Sequence, residues 1–153
     1  MVQTKAPLRI LLVGKRGSLV RWLEDLHRAS ARLGYPARIF AINGQGWVSR
    51  LRAKWAGRGA ATTPWMLARF EQMLARFRPQ LAIMAGVFGV PLDYYRILRE
   101  LPWQPPIAGL VGDRFPTDNR ERVDCCDRLY FTDTRFFQDA RAAGFATPSR
   151  YLP

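Results

Sequence analysis

The chain has 153 residues, 48% of them hydrophobic, and a formal net charge of +12 from 24 Lys+Arg against 12 Asp+Glu. This hydrophobic content excludes global disorder, the length suits one domain around one core, and no apolar stretch reaches the roughly 18 residues of a membrane span. The charge calls for an anionic partner, whether nucleic acid, anionic lipid or a phosphorylated ligand, without choosing among them.

The first residues, MVQTKAPLRILLVG, have a short apolar run that leads into a charged loop, with no small-residue cleavage site, so they do not read as a signal peptide. Leu8 to Val13 reads as a buried strand, Gly14-Lys15-Arg16-Gly17 as a turn and Ser18 as a helix N-cap. Leu19, Trp22, Leu23, Leu26, Ser30 and Leu33 then fall at helical spacing, with Glu24, Asp25 and Arg28 on the other face, and Gly34 ends the helix. Ala37 to Ile42 is a second strand. Residues 47 to 58 are basic and amphipathic, with Val48, Leu51 and Trp55 forming a narrow stripe among arginines. That stripe either packs on the core or touches an anionic membrane surface.

Thr63 is placed to cap the next helix, with Pro64 in its first position and Leu67, Phe70, Met73, Leu74 and Phe77 as its apolar face. The third strand is Leu81 to Gly86, and Pro91 opens a short helix through Glu100. Pro106 to Val111 is the fourth strand, Arg120 to Asp127 a helical turn, Arg128 to Thr132 the fifth strand, and Asp133 or Thr134 caps a helix that stops at Gly144. Arg150 to Pro153 begins a sixth strand or a linker. Strands that alternate with helices predict an α/β fold: a Rossmann-like three-layer sandwich around a central parallel sheet of five or six strands, with Leu8–Val13 in its interior.

Ligands of such sheets bind beyond the carboxyl ends of the strands. The loops there are 14–17, 86–91 and 112–119. The first fails the Walker A spacing, because only two residues separate its glycines and Lys15 precedes Gly17; it also lacks the glycine a dinucleotide fingerprint needs where Arg16 stands. Two readings stay open: a phosphate cradle of Gly14, Lys15, Arg16 and Gly17 at a helix start, or a bare strand-to-helix turn. Gly86 and Gly89 would let a substrate approach the backbone. Asp113 follows a buried strand and is a general base, a helix cap or the ion-pair partner of Arg114; Gly112 before it would leave room for a substrate. His27 is the only histidine and lies mid-helix, so no Ser/His/Asp set exists. The only cysteines, Cys125 and Cys126, are adjacent, which suits neither a bridge nor a metal site and predicts a reducing, cytoplasmic setting without metal or cofactor.

From RFRPQLAIMAG through PPIAGLVGDRFP to CDRLYFTDTRFFQDARAAGFATPSRYLP, the chain resembles the amino-terminal domain of GT-B glycosyltransferases, especially the group related to spore-maturation glycosyltransferases. Tyr130 to Asp133, Ala143-Gly144 and Leu152-Pro153 carry the likeness, which extends in element order over nearly the whole chain. A departure lies after the fourth strand, where relatives often show two acids and this chain has Gly112 then Asp113. The resemblance implies sugar transfer from a nucleotide-sugar donor to an unknown acceptor, with no required metal. It also implies that residues 1–153 are the acceptor-side half, inactive without a second domain. The catalytic expectation then falls on Asp113, and substrate binding on Gly14, Lys15, Arg16, Gly17, Gly86, Gly89 and Arg114. A peripheral place at the inner face of the membrane, through residues 47–58, is a further expectation. The rival is a basic Rossmann-like module that binds nucleic acid or another polyanion by charge and by Trp47, Trp55 and Trp65; no nucleic-acid motif supports it.

Overall fold

The computed structural model describes residues 6–17, 21–43, 62–112 and 120–152. Six strands, β1 (Ile10–Gly14), β2 (Ala37–Ala41), β3 (Leu81–Ala85), β4 (Ile107–Val111), β5 (Arg128–Phe131) and β6 (Ser149–Tyr151), form one sheet in the order β2-β1-β3-β4-β5-β6. Every neighbouring pair is parallel. The helices are α1 (Trp22–Arg32), α2 (Pro64–Phe77), α3 (Leu92–Glu100), α4 (Arg120–Asp124) and α5 (Thr134–Ala142). The predicted Rossmann-like sandwich is the observed fold, and β1 is interior.

The two faces of the sheet follow from the path of the chain. From β1 to β2 the chain steps one way across the sheet, and from β2 onward it steps the other way. Right-handed crossovers then place α1 on one face and the later helices on the opposite face. The cores agree. Ile10, Leu12 and Leu23 pack with Leu26, Ile39 and Ile83 on the α1 side. The larger core holds Leu11, Val13, Phe40, Phe70, Tyr94, Tyr95, Val123, Phe131 and Ala140 on the other. There Phe40, Phe70 and Tyr94 meet edge-on or tilted, with ring centroids 4.8 to 5.6 Å apart, geometries that favour aromatic contact beyond area alone.

The first strand starts at Ile10 and runs to Gly14, two residues later than expected at its start. Arg9 interrupts the apolar run: its guanidinium Nε donates to Arg78 O at 2.9 Å, outside the ladder. At the other end Gly14 is held by both neighbours, opposite Ala41 and Ala85, so it belongs to the strand and not to the turn. Thr63 caps α2 as expected, accepting from Met66 N, and Asp133 caps α5 by accepting from Arg135 N and Phe136 N. Pro91 takes the N-cap position of α3, one residue outside the helix. The first helix starts later than expected: Arg21, and not Ser18, stands in the N-cap position of α1, with no side-chain cap bond. Ser18, the segment 47–58 and Asp113 to Asn119 lie outside the described residues. Among the described residues, no helix is long and apolar enough to cross a membrane.

Candidate functional site

The strand order reverses direction between β1 and β3. That is the topological switch point, where the two outgoing loops diverge and leave a crevice at the carboxyl ends of the strands. The loop after β1 is 14–17 and the loop after β3 begins at Gly86, so the two glycine loops singled out from the sequence flank this crevice. They also approach each other: Lys15 Cε lies 3.9 Å from where a β-carbon on Gly89 would stand. Lys15, Arg16, Gly17 and Gly89 are exposed.

Each loop is braced from beneath. Arg16 N–H donates to Asn43 Oδ1 at 2.9 Å, and Asn43 Nδ2 donates back to Arg16 O at 2.7 Å. Ile42 N–H donates to Gly14 O at 3.0 Å, so the ends of β1 and β2 and the first loop form one hydrogen-bonded unit. The second loop turns on Gly86 at φ +79°, a backbone state that side chains other than glycine resist. Gly86 N–H donates to Leu110 O at 3.1 Å, and a single 3₁₀ turn covers Val87–Gly89. Tyr95 Oη, fully buried, donates to Val87 O at 2.9 Å, and Arg122 Nε donates to Val90 O at 3.0 Å. Burial drives the Tyr95 phenol far above its usual range, so the donor stays protonated. A binding crevice on such a scaffold is pre-shaped.

The cations of the first loop divide. Arg16 Nε sits 3.4 Å from Glu24 Oε1, a carboxylate in the first turn of α1. The Arg16 guanidinium is therefore turned toward α1, and its charge is matched there. Lys15 forms no ion pair among the described residues. Glu24 Oε2 is buried without a hydrogen-bond partner, a carboxylate oxygen still able to accept a proton donor. Sequence spacing placed Glu24 on the face of the helix opposite its apolar residues, and Asn43 lies just past the expected second strand, Ala37 to Ile42. Neither carried a local signal, because their partners are 8 and 27 residues away in the chain.

Gly112 ends differently from its expectation. A β-carbon there would run into the indole of Trp22, and Thr132 Oγ1 is 3.1 Å away on another side. The space beside Gly112 is thus filled by the first residue of α1 and does not stand open for a substrate. The arrangement joins α1 to the end of β4. Gly14 is similar in kind, since a β-carbon would stand 2.7 Å from Ala85 O. Its glycine lets β1 and β3 close up at the crevice. Gly17, at φ +72°, has nothing within 4 Å and is needed for its backbone conformation. No group of three potential metal ligands gathers among the described residues.

No protein-family model matches the chain, and no curated protein matches it. Among solved structures, the fold is similar to that of a UDP-GlcNAc 2-epimerase from Methanocaldococcus jannaschii, with a TM-score of 0.52 and 16% sequence identity. The match covers 94% of this chain and 45% of that one, so the chain spans less than half the length of that neighbour. At this identity the likeness concerns the fold alone, and that fold is the Rossmann-like α/β architecture with one parallel six-stranded sheet.

Proposed function

We propose that the chain is the acceptor-side half of a GT-B glycosyltransferase related to the spore-maturation group, which moves a sugar from a nucleotide sugar to an acceptor. The observation that carries this reading is the crevice at the switch point between β1 and β3, flanked by two braced glycine loops with Lys15 beside Gly89. In this reading the Lys15 ammonium meets a phosphate of the donor or of a phosphorylated acceptor. Arg16 stabilises the loop through Glu24 and Asn43 and contributes to the field at the crevice. Gly86 and Gly89 let the ligand come close to the backbone. Asp113, next in the chain after Gly112, accepts the proton of the acceptor hydroxyl, and Arg114 keeps it ionised or adds a phosphate contact. The second domain would supply most of the donor site. The fold shared with a UDP-GlcNAc 2-epimerase supports a sugar nucleotide as the ligand class.

The test is a titration of the isotopically labelled chain with UDP-GlcNAc, read by amide chemical shifts. Shifts concentrated at Gly14, Gly17, Gly86 and Gly89, and weakened about tenfold in apparent affinity by Lys15→Ala, are expected for the loss of one charge-assisted contact. Shifts confined to other parts of the sheet, or unchanged by Lys15→Ala, would remove the crevice from the function.

A further inference from the structure

A second concentration of positive charge lies away from the crevice, at the β2 edge of the sheet. Between β2 and α2 is a cavity of about 270 Å³ lined by Arg38, Arg69, Gln72 and Arg76 above Phe40 and Met73. Arg69, Gln72 and Arg76 are spaced at i, i+3 and i+7 along α2, which brings them to one face of the helix opposite the strand residue Arg38. Arg38 stands three residues before Ala41, the partner of Gly14, so the cavity begins about 10 Å back from the crevice at the usual strand rise.

Among the described residues the charges here are unmatched. Among the described residues no carboxylate lines the cavity, and none of the three arginines forms an ion pair. Two of them are instead held by aromatic rings: the Arg38 guanidinium carbon is 5.5 Å from the centroid of Phe77, and that of Arg69 is 5.5 Å from the centroid of Trp65. Stacking of this kind orients a guanidinium without neutralising it. Three like charges around one small cavity repel each other until an anion arrives, and the apolar floor of Phe40 and Met73 lowers the local dielectric and strengthens that attraction. The planar forks of arginine match the oxygens of a phosphate, and Gln72 can add an amide donor.

We infer that this cavity is an anion site, separate from the crevice, that binds a doubly charged phosphate group carried by a small soluble molecule or presented by a lipid headgroup. The inference does not depend on the glycosyltransferase reading.

The test uses the whole chain and two probes: inorganic pyrophosphate, followed by calorimetry at fixed moderate salt, and vesicles of phosphatidylcholine with or without phosphatidic acid, followed by flotation. Arg69→Ala/Arg76→Ala should weaken binding at least about tenfold, as expected for the loss of two charge-assisted contacts. Arg128→Ala/Arg150→Ala removes the same charge from exposed positions on β5 and β6, at the other end of the sheet, and should change binding less than about threefold, the scale of a general field effect. Arg69→Gln/Arg76→Gln, with circular dichroism, separates a lost site from a lost fold. Dependence on Arg69 and Arg76 in either arm supports the site, and the arm in which it occurs identifies the source of the phosphate. Absence of binding in both arms, or equal weakening by the two double variants, overturns it.

Discussion

Gly14 has no room for a β-carbon, and this makes it the most informative single residue of the crevice. Gly14→Ala forces the ends of β1 and β3 apart against the Ala85 backbone, an overpacking that typically costs about 1–3 kcal/mol. Gly17→Ala meets no atom but must hold φ near +72°, a left-handed state costing about 1–2 kcal/mol. Urea denaturation of both variants checks these figures; a neutral Gly14→Ala would show that the strand ends relax freely. In the proposed function, Asp113→Asn in a two-domain form of the enzyme is expected to lower turnover by at least about a hundredfold, the lower end of what general-base catalysis supplies, with an unchanged melting temperature. A drop in stability with near-normal turnover would instead assign Asp113 to capping. Burial pushes the Cys126 thiol from 9.0 up to about 12 and the Tyr94 phenol from 10.0 up to about 12. Both groups are neutral when protonated, and the unfolded chain releases these protons first. Their stabilisation is therefore fully present below pH about 9 and declines as pH rises toward about 12, at up to roughly 1.4 kcal/mol per pH unit for each group. Urea midpoints measured from pH 8 to pH 11 should fall along the upper part of that range, and Cys126→Ala should flatten part of the fall.

Elements carry the site by bracing its loops. The turn after β3 hangs on the Tyr95 hydroxyl of α3, so Tyr95→Phe leaves the Val87 carbonyl without that donor. The cost expected for an unsatisfied buried acceptor is about 1–3 kcal/mol. Because the loss falls on Val87, amide exchange should rise first at Val87 to Gly89; uniform loosening of α3 would show that the bond serves the helix and not the loop. The caps of α2 and α5 were legible in the sequence because a cap is a local bond: Thr63 reaches Met66, and Asp133 reaches Arg135 and Phe136; that of α1 was not, since the helix starts at Trp22 behind Arg21 and not behind Ser18. The contact between Trp22 and Gly112 was not legible. Trp22 belongs to the apolar spacing of α1, and that spacing says only that a residue is covered, not what covers it.

At the scale of the molecule, the reversal of strand order defines the crevice and, with right-handed crossovers, places α1 opposite the other helices. In the proposed function the chain supplies only one side of the cleft, so the 153-residue chain alone should show no sugar transfer from a nucleotide sugar; turnover by this chain in a coupled release assay would overturn the two-domain reading. The basic segment 47–58 is proposed to touch anionic membrane. Its test is a variant with Arg50, Arg52 and Lys54 replaced by Gln, which should float less with phosphatidylserine vesicles while keeping its melting temperature, and equal flotation of the variant and the parent chain counts against the contact. What the sequence by itself determined was the set of elements: apolar runs and glycine stops act within a few residues, so five strands, their alternation with helices and the glycine loops of the crevice could be read in order, while pairing with β5 decided that the last segment is a sixth strand and not a linker. Only the tertiary structure decided which strands are neighbours, that Gly14 belongs to the ladder, that Trp22 fills the space beside Gly112, and that Arg16 answers Glu24 and Asn43. Those outcomes depend on register and on packing between segments far apart in the chain, where the free energy lies in contacts that no local pattern encodes.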